Sequence, residues 1–259
     1  MISNLSIKKH ENYLKKNVFF VKSKWPQFDL LFKDIKSISK SVNQNTNILS
    51  IERGGLYGNI SLFAPFFTKG NFYSIDSSGA NISKRKAYNK NLVKNKDVIK
   101  IKINEHQSHQ NLEAKKNYYD LIIIPNLIHH IHEHEALIKK CKAFLRKKGK
   151  IYIFDAILRE LHQEPDDFLR FTPYGLKRKL ESVGFNVIKI NRSGGPFSAI
   201  AYCWDQALQY LPKKMRLKKS KWFYSKEFKK LMTYDKKYKK NLIRKHTSFP
   251  VSYSIVAKK

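Results

Sequence analysis

Three groups of residues have types and spacings suited to chemistry. Glu52 closes the apolar run NILSIE, and Gly54, Gly55 and Gly58 follow it. Glycines just past a strand let the backbone turn tightly and come close to a ligand. Asp76 closes the next such run, NFYSID. A carboxylate about twenty residues past a glycine loop can accept hydrogen bonds from ribose hydroxyls, so the pair suits an adenosine-containing cofactor. The bland alternative is a glycine-rich turn followed by a helix cap at Asp76-Ser77-Ser78. The second group lies in RELHQEPDDFLRF, where His162 stands beside Glu164, Asp166, Asp167 and Arg170. His162 is a candidate base or acceptor ligand. Arg170 either pairs structurally with Asp167 or grips an anionic acceptor with its planar fork. The third group is HHIHEHE (129–135), with His130 and His134 four apart and His106 and His109 elsewhere. Zinc needs a third ligand and a second shell as well as this spacing, and no metal is expected here. His129 or His130 is read as facing cofactor or acceptor, with His132 and His134 solvated.

The elements that must position these groups alternate in type. Residues 1–46 read as a helical segment with loops. Strand-like runs follow at 47–52, 71–76, 98–103, 119–125, 150–157 and 185–190. The run YDLIIIP (119–125) is continuous and apolar, as a strand buried on both faces should be. HEALIKKCKAFLRKKG (134–149) has helical spacing and a stop at Gly149; TPYGLKRKLESVGF (172–185) opens with a Thr-Pro cap and stops at Gly184. SYSIVAKK (252–259) reads as the final strand. Such alternation predicts a doubly wound, Rossmann-like α/β fold with a seven-stranded, mostly parallel sheet. The expected domain covers 47–259, with an aromatic, basic helical cap at about 192–247 inserted before the last strand. From Pro212 to Lys245 that insertion has 15 Lys and Arg against Glu227 and Asp235.

Composition narrows the class. The chain has 259 residues, 42% of them hydrophobic and 28% charged, which excludes a disordered chain or a disulfide scaffold. Cys141 and Cys203 read as ordinary buried thiols in a reducing compartment. The opening MISNLSIKKHENYLKKN has no apolar core and no run reaches the length of a membrane span, so a cytoplasmic chain is expected. Net charge is +32, from 52 basic and 20 acidic residues. Either solvated faces have filled with lysine, or the field attracts polyanions: nucleic acid, an anionic membrane surface touched peripherally, or a phosphorylated glycan carrier.

The loop Glu52-Arg53-Gly54-Gly55-Leu56-Tyr57-Gly58 resembles the E/D-x-G-x-G-x-G loop of class I S-adenosylmethionine-dependent methyltransferases, departing at Leu56. YDLIIIPNLIHHI and LRKKGKIYIFDAI are similar to the fourth and fifth strand regions of that family. RELHQEPDDFLRFTPYGLKRKLESVGF resembles a segment of the subgroup found with bacterial surface-polysaccharide biosynthesis, matching at His162, Pro165, Asp167, Arg170, Thr172, Pro173, Gly175 and Leu176. The resemblance implies S-adenosyl-L-methionine as cofactor. Glu52, Gly54, Gly55 and Gly58 would meet its methionine end, Asp76 its ribose, and Asn126 would line the site. His162, His130, Asp167 and Arg170 are the catalytic candidates.

The implied activity is methylation, on oxygen, of a glycan, glycan precursor or related small molecule, anionic or lipid-linked. An RNA methyltransferase is the alternative suggested by the charge. A non-catalytic binding scaffold is the alternative suggested by Leu56 and by Asn104 after the third strand.

Overall fold

Strands whose residues are apolar on both sides must be covered on both faces. The chain meets that demand in a seven-stranded sheet of order β3-β2-β1-β4-β5-β7-β6. In this computed structural model the described residues are 11–12, 25–52, 63–76, 102–104, 112, 114–162, 164–238, 242–244 and 248–259. The strands are β1 (Asn47–Glu52), β2 (Asn71–Asp76), β3 (Lys102–Asn104), β4 (Tyr119–Pro125), β5 (Leu145–Ala156), β6 (Asn186–Ser193) and β7 (Ser252–Lys258). β1 to β5 pair in parallel; β7 enters antiparallel between β5 and β6.

Side chains alternate between the two faces, and each face has its own core. Leu49, Ile51, Ile122, Ile124, Ile151 and Ile153 face helices α2 (His134–Phe144) and α3 (Pro173–Ser182), through Leu137, Cys141, Leu176 and Leu180. Ile48, Leu121, Ile123, Tyr152 and Phe154 face the other way, against Leu31 and Ile35 of α1 (Asp29–Ser39), Trp25, Phe28 and Phe66. Fully burying each such side chain contributes about 1.5–3 kcal/mol, so both layers are needed to hold the central strands.

Several boundaries differ from the sequence reading. Helix α2 ends at Phe144, not Gly149, and Leu145 already pairs with Tyr119. The register then shifts, Lys148 takes φ +67°, and Leu121 pairs with Lys150. Gly149 serves that irregularity rather than a helix stop: a Cβ there would lie 2.9 Å from the Tyr119 carbonyl oxygen. Of the third strand run, Lys102 and Ile103 pair with β2 and the strand continues to Asn104; residues 98–101 lie outside the described residues. Thr172 caps α3 as expected, its Oγ1 accepting from the Gly175 N–H at 3.0 Å.

Between β6 and β7 the chain forms α4 (Pro196–Leu208), α5 (Lys213–Trp222), a π turn (Phe223–Glu227) and α6 (Phe228–Lys237). The first of these is part of the body. Tyr202 of α4 packs edge-on against Trp25 with ring centroids 5.3 Å apart. The Trp25 Nε1–H donates to Asp205 of α4 at 2.9 Å, and Tyr224 of the π turn donates to the same carboxylate at 2.5 Å. Helix α5 buries nothing. Cys141 is buried, but Cys203 is exposed, contrary to the reading of both as buried thiols. Among the described residues no helix is long and apolar enough to cross a membrane.

Candidate active site

Parallel strands bring their carboxyl ends to one edge, where doubly wound sheets bind ligands. Glu52 and Asp76 end β1 and β2 and are direct register partners. Ser50 Oγ donates to Glu52. Asn126 follows β4 at φ +56°, a left-handed conformation that asparagine tolerates. Its N–H donates to the Phe154 carbonyl at 2.8 Å, and its side-chain Oδ1 is buried without a hydrogen-bond partner among the described residues. The Glu52 carboxylate and an orphaned amide oxygen at the ends of neighbouring strands fit a ligand rich in hydroxyl and amino donors. Gly54, Gly55 and Gly58 lie outside the described residues.

Next to this edge, past β4 and β5, stands a cluster of imidazoles. The turn after β4 (Ile128–His130) buries both His129 and His130. His129 Nδ1 faces Asp155 Oδ1 at 2.5 Å, and both side chains are 1% exposed. With the Asp155 carboxylate as acceptor, Nδ1 is the His129 ring nitrogen that donates. The loop after β5 folds back over this pair. Phe168 N–H donates to the His129 carbonyl at 3.0 Å, and His130 Nδ1 meets the Asp166 carbonyl at 2.5 Å. His162 Nε2 comes to 3.4 Å from His129 Nε2. His130 and His134 do not act together: His134 Nδ1 turns to the His132 carbonyl at the start of α2.

The loop holding His162 is pinned by ions. Asp167 Oδ2 accepts from the His162 N–H at 3.0 Å and from Arg170 Nη2 at 2.8 Å, while Arg170 Nη1 donates to Oδ1. Arg170 also donates to the Glu160 carbonyl at 3.2 Å. The structural pairing therefore describes Asp167 and Arg170, and no acceptor grip is needed to account for Arg170. Burial alone would raise the Asp167 carboxyl, but Arg170 and the His162 N–H outweigh it and hold it well below the usual carboxylate range. Arg159 Nε donates to Glu160 at 3.2 Å, and its guanidinium lies 4.7 Å from the Trp25 ring centre. Tyr202 donates to the other Glu160 oxygen. Burial, then the nearby Arg159 charge, lowers the His162 pKa from its ordinary value and favours the neutral ring.

Four members of this site escaped the sequence reading as functional residues: Asp155, Arg159, Glu160 and Tyr202. Asp155 had a signal, being a lone carboxylate in the otherwise apolar strand KIYIFDAI. It also faces Tyr253 across the β5–β7 pairing, and both Asp155 Oδ2 and the Tyr253 hydroxyl are buried without hydrogen-bond partners among the described residues.

A family profile described as a methyltransferase domain matches residues 27–190. The chain belongs to that family. No curated protein matches it. Among solved structures, the YcgJ protein of Bacillus subtilis is similar at TM-score 0.53 and 11% identity, covering 88% of this chain and 97% of that one. Phosphoethanolamine N-methyltransferase 2 of Haemonchus contortus, in complex with S-adenosyl-L-methionine, is similar at TM-score 0.55 and 13% identity, covering 96% and 60%. The cyclase SpnF is similar at TM-score 0.53 and 12% identity, covering 88% and 80%. A cyclase with this fold means that the reaction has to be argued from the site.

Proposed function

We propose that the chain transfers a methyl group from S-adenosyl-L-methionine to an oxygen of a small polar acceptor, with a glycan or glycan precursor as the substrate class. The cofactor supplies an electrophilic methyl on a sulfonium. Glu52 and Asn126 would hold it at the ends of β1 and β4, and the resemblance assigns Asp76 and the glycines of 54–58 to the same task. One observation carries the choice of an oxygen acceptor: the imidazole cluster of His129, His130 and His162 beside that edge, backed by Asp155. An alcohol is a weak nucleophile until its proton leaves, and a cluster of nitrogen lone pairs is the local group able to manage that proton. As the oxygen–carbon bond forms, the carbon–sulfur bond breaks with its electron pair going to sulfur. The hydroxyl proton leaves through the cluster to solvent. Asp167 and Arg170 are positioning residues, since they hold the loop on which His162 sits.

The test incubates the chain with S-adenosyl-L-methionine and a panel of sugars, sugar phosphates and glycans, following S-adenosylhomocysteine and a mass gain of one CH2. His162→Ala should lower kcat at least tenfold while leaving cofactor affinity within twofold. Equal turnover by that variant would remove the cluster from the reaction. A folded chain that binds neither S-adenosyl-L-methionine nor its demethylated product would instead be a methyltransferase-like scaffold. Helix α5, which buries none of its residues and reads KKMRLKKSKW, favours RNA as the second acceptor class. That reading requires RNA-dependent turnover and binding that weakens steeply with salt.

A further inference from the structure

The three histidines share a feature that a base alone does not require. Each turns Nδ1 toward an oxygen that can only accept: His129 toward Asp155 Oδ1 at 2.5 Å, His130 toward the Asp166 carbonyl at 2.5 Å, and His162 toward the Glu160 carbonyl at 3.0 Å with Asp167 Oδ2 at 3.1 Å. A neutral ring with its proton on Nδ1 keeps a lone pair on Nε2. With both rings in that tautomer, the Nε2 atoms of His129 and His162 meet at 3.4 Å with no proton between them, and a cation bound there satisfies both. The His130 ring centre lies 4.0 Å from that of His129 and 4.7 Å from that of His162.

We propose that His129, His130 and His162 bind one divalent transition-metal ion of the zinc type through Nε2, leaving a coordination position for the acceptor oxygen. This deepens the methyl-transfer reading and rests on it only for the identity of the fourth ligand. The distances suit such an ion. Two nitrogens bound tetrahedrally at about 2.0–2.1 Å stand about 3.4 Å apart, the separation found for His129 and His162. One ligand atom from each of the three residues lies within 4.8 Å of the others, so the widest gap closes by about 1.4 Å of side-chain movement. The outer shell is also in place. Metal-binding histidines commonly donate their second ring N–H to a carboxylate or backbone carbonyl, and all three do so here.

Charge points the same way. Asp155 is buried, its hydrogen-bonded partner is an imidazole, and its Oδ2 has no hydrogen-bond partner among the described residues. A buried carboxylate is poorly compensated by a neutral ring, whereas a dication on the far nitrogen balances it. An all-imidazole set suits zinc, cobalt, nickel or copper rather than magnesium or calcium. Three protein ligands with an open fourth position are the pattern of catalytic zinc sites, where a bound water gives up its proton near neutral pH. With the ion present, the imidazoles are ligands. The ion would acidify the acceptor hydroxyl, whose proton would pass to solvent as the oxygen–carbon bond forms. The i, i+4 spacing of His130 and His134 is not the basis of this site; His129 and His162 take its place.

The full chain, dialysed against chelator, is titrated with Zn2+ by calorimetry and with Co2+ by visible absorption. One ion per chain should bind, with the intense cobalt absorption of a four-coordinate site. His130→Ala and His162→Ala should each weaken binding at least 100-fold, and Asp155→Asn about 10- to 100-fold. Circular dichroism reports folding, and a parallel S-adenosyl-L-methionine titration reports the neighbouring cofactor site. Absence of metal uptake by the folded wild-type chain overturns the proposal. So does uptake that survives in both histidine variants, since the ion would then sit elsewhere. Metal uptake by a chain that does not bind S-adenosyl-L-methionine would leave the metal site standing and defeat the methyl-transfer reading instead.

Discussion

Asp167→Asn tests whether the loop carrying His162 is held by charge. The wild-type carboxylate is 2% exposed and accepts from the His162 N–H and from both terminal nitrogens of Arg170, which is 22% exposed. Asparagine keeps one acceptor but turns an NH2 group toward a fork that only donates. Removing one partner of a fully buried pair costs about 3–5 kcal/mol. Arg170 retains the Leu169 and Glu160 carbonyls and reaches some water, so about 2–3 kcal/mol is expected. With an m-value of about 3 kcal/mol/M, the urea midpoint should fall by about 0.8 M. The pH dependence has a definite sign. The folded-state pKa of Asp167 is depressed, so its contribution is present above the unfolded value of about 3.9 and is lost as pH falls below that. The wild-type advantage over Asp167→Asn should therefore be full near neutrality and shrink progressively in acid. In a double-mutant cycle with Arg170→Met, the pair should show about 2 kcal/mol of coupling. A loss below about 0.5 kcal/mol at pH 7, or a difference that does not change with pH, would refute the charge argument.

The cofactor edge is tested by Asp76→Ala and Glu52→Gln, each of which should weaken S-adenosyl-L-methionine binding at least tenfold in calorimetry with the fold retained; unchanged affinity in both would move the cofactor elsewhere. Thr172→Ala removes the hydroxyl that caps α3 and should cost about 1 kcal/mol in chemical denaturation, with Thr172→Ser restoring it. Trp25→Phe leaves Asp205 without its indole donor and should cost about 1–3 kcal/mol, measured in the same way. Equal stability of that variant would mean that Tyr224 and Gln206 satisfy the carboxylate without the indole.

Continuous apolar runs make the central strands legible in the sequence, because a strand covered on both faces leaves no room for polar alternation. Glu52 and Asp76 are legible for a related reason: a carboxylate that ends such a run sits at the sheet edge. The helical spacing overruns the true end of α2 because the basic run Arg146-Lys147-Lys148 suits either a helix end or an irregular strand, and only pairing with Tyr119 decides between them. Arg146 itself forms an ion pair with Asp120 of the neighbouring strand. The histidine cluster is half legible. His130 and His162 stand out by type, but the meeting of His162 with His129 spans 33 residues of chain and depends on how the loop after β5 folds back. Asp155 stands out in the sequence as a lone carboxylate in an apolar strand, but its importance comes from the imidazole it faces. The insertion reads as a helical cap because apolar residues punctuate its lysines, and α4 anchors it to Trp25 through Tyr202 and Asp205.

The place of β7 has a consequence for synthesis on the ribosome. It is the last of the seven strands in chain order, yet it lies inside the sheet with β5 on one side and β6 on the other. Until it emerges, both neighbours present unpaired edges that can recruit other nascent chains. At about 5–20 residues per second, residues 194–251 take roughly 3–12 s to translate, and the edges wait for that interval. Asp155 waits with them, since its cross-strand neighbour Tyr253 arrives on the same strand. The imidazole cluster therefore acquires its full surroundings only after Tyr253 has been added and β7 has paired, and a ribosome that stalls in the lysine-rich helices leaves behind a sticky, unfinished sheet.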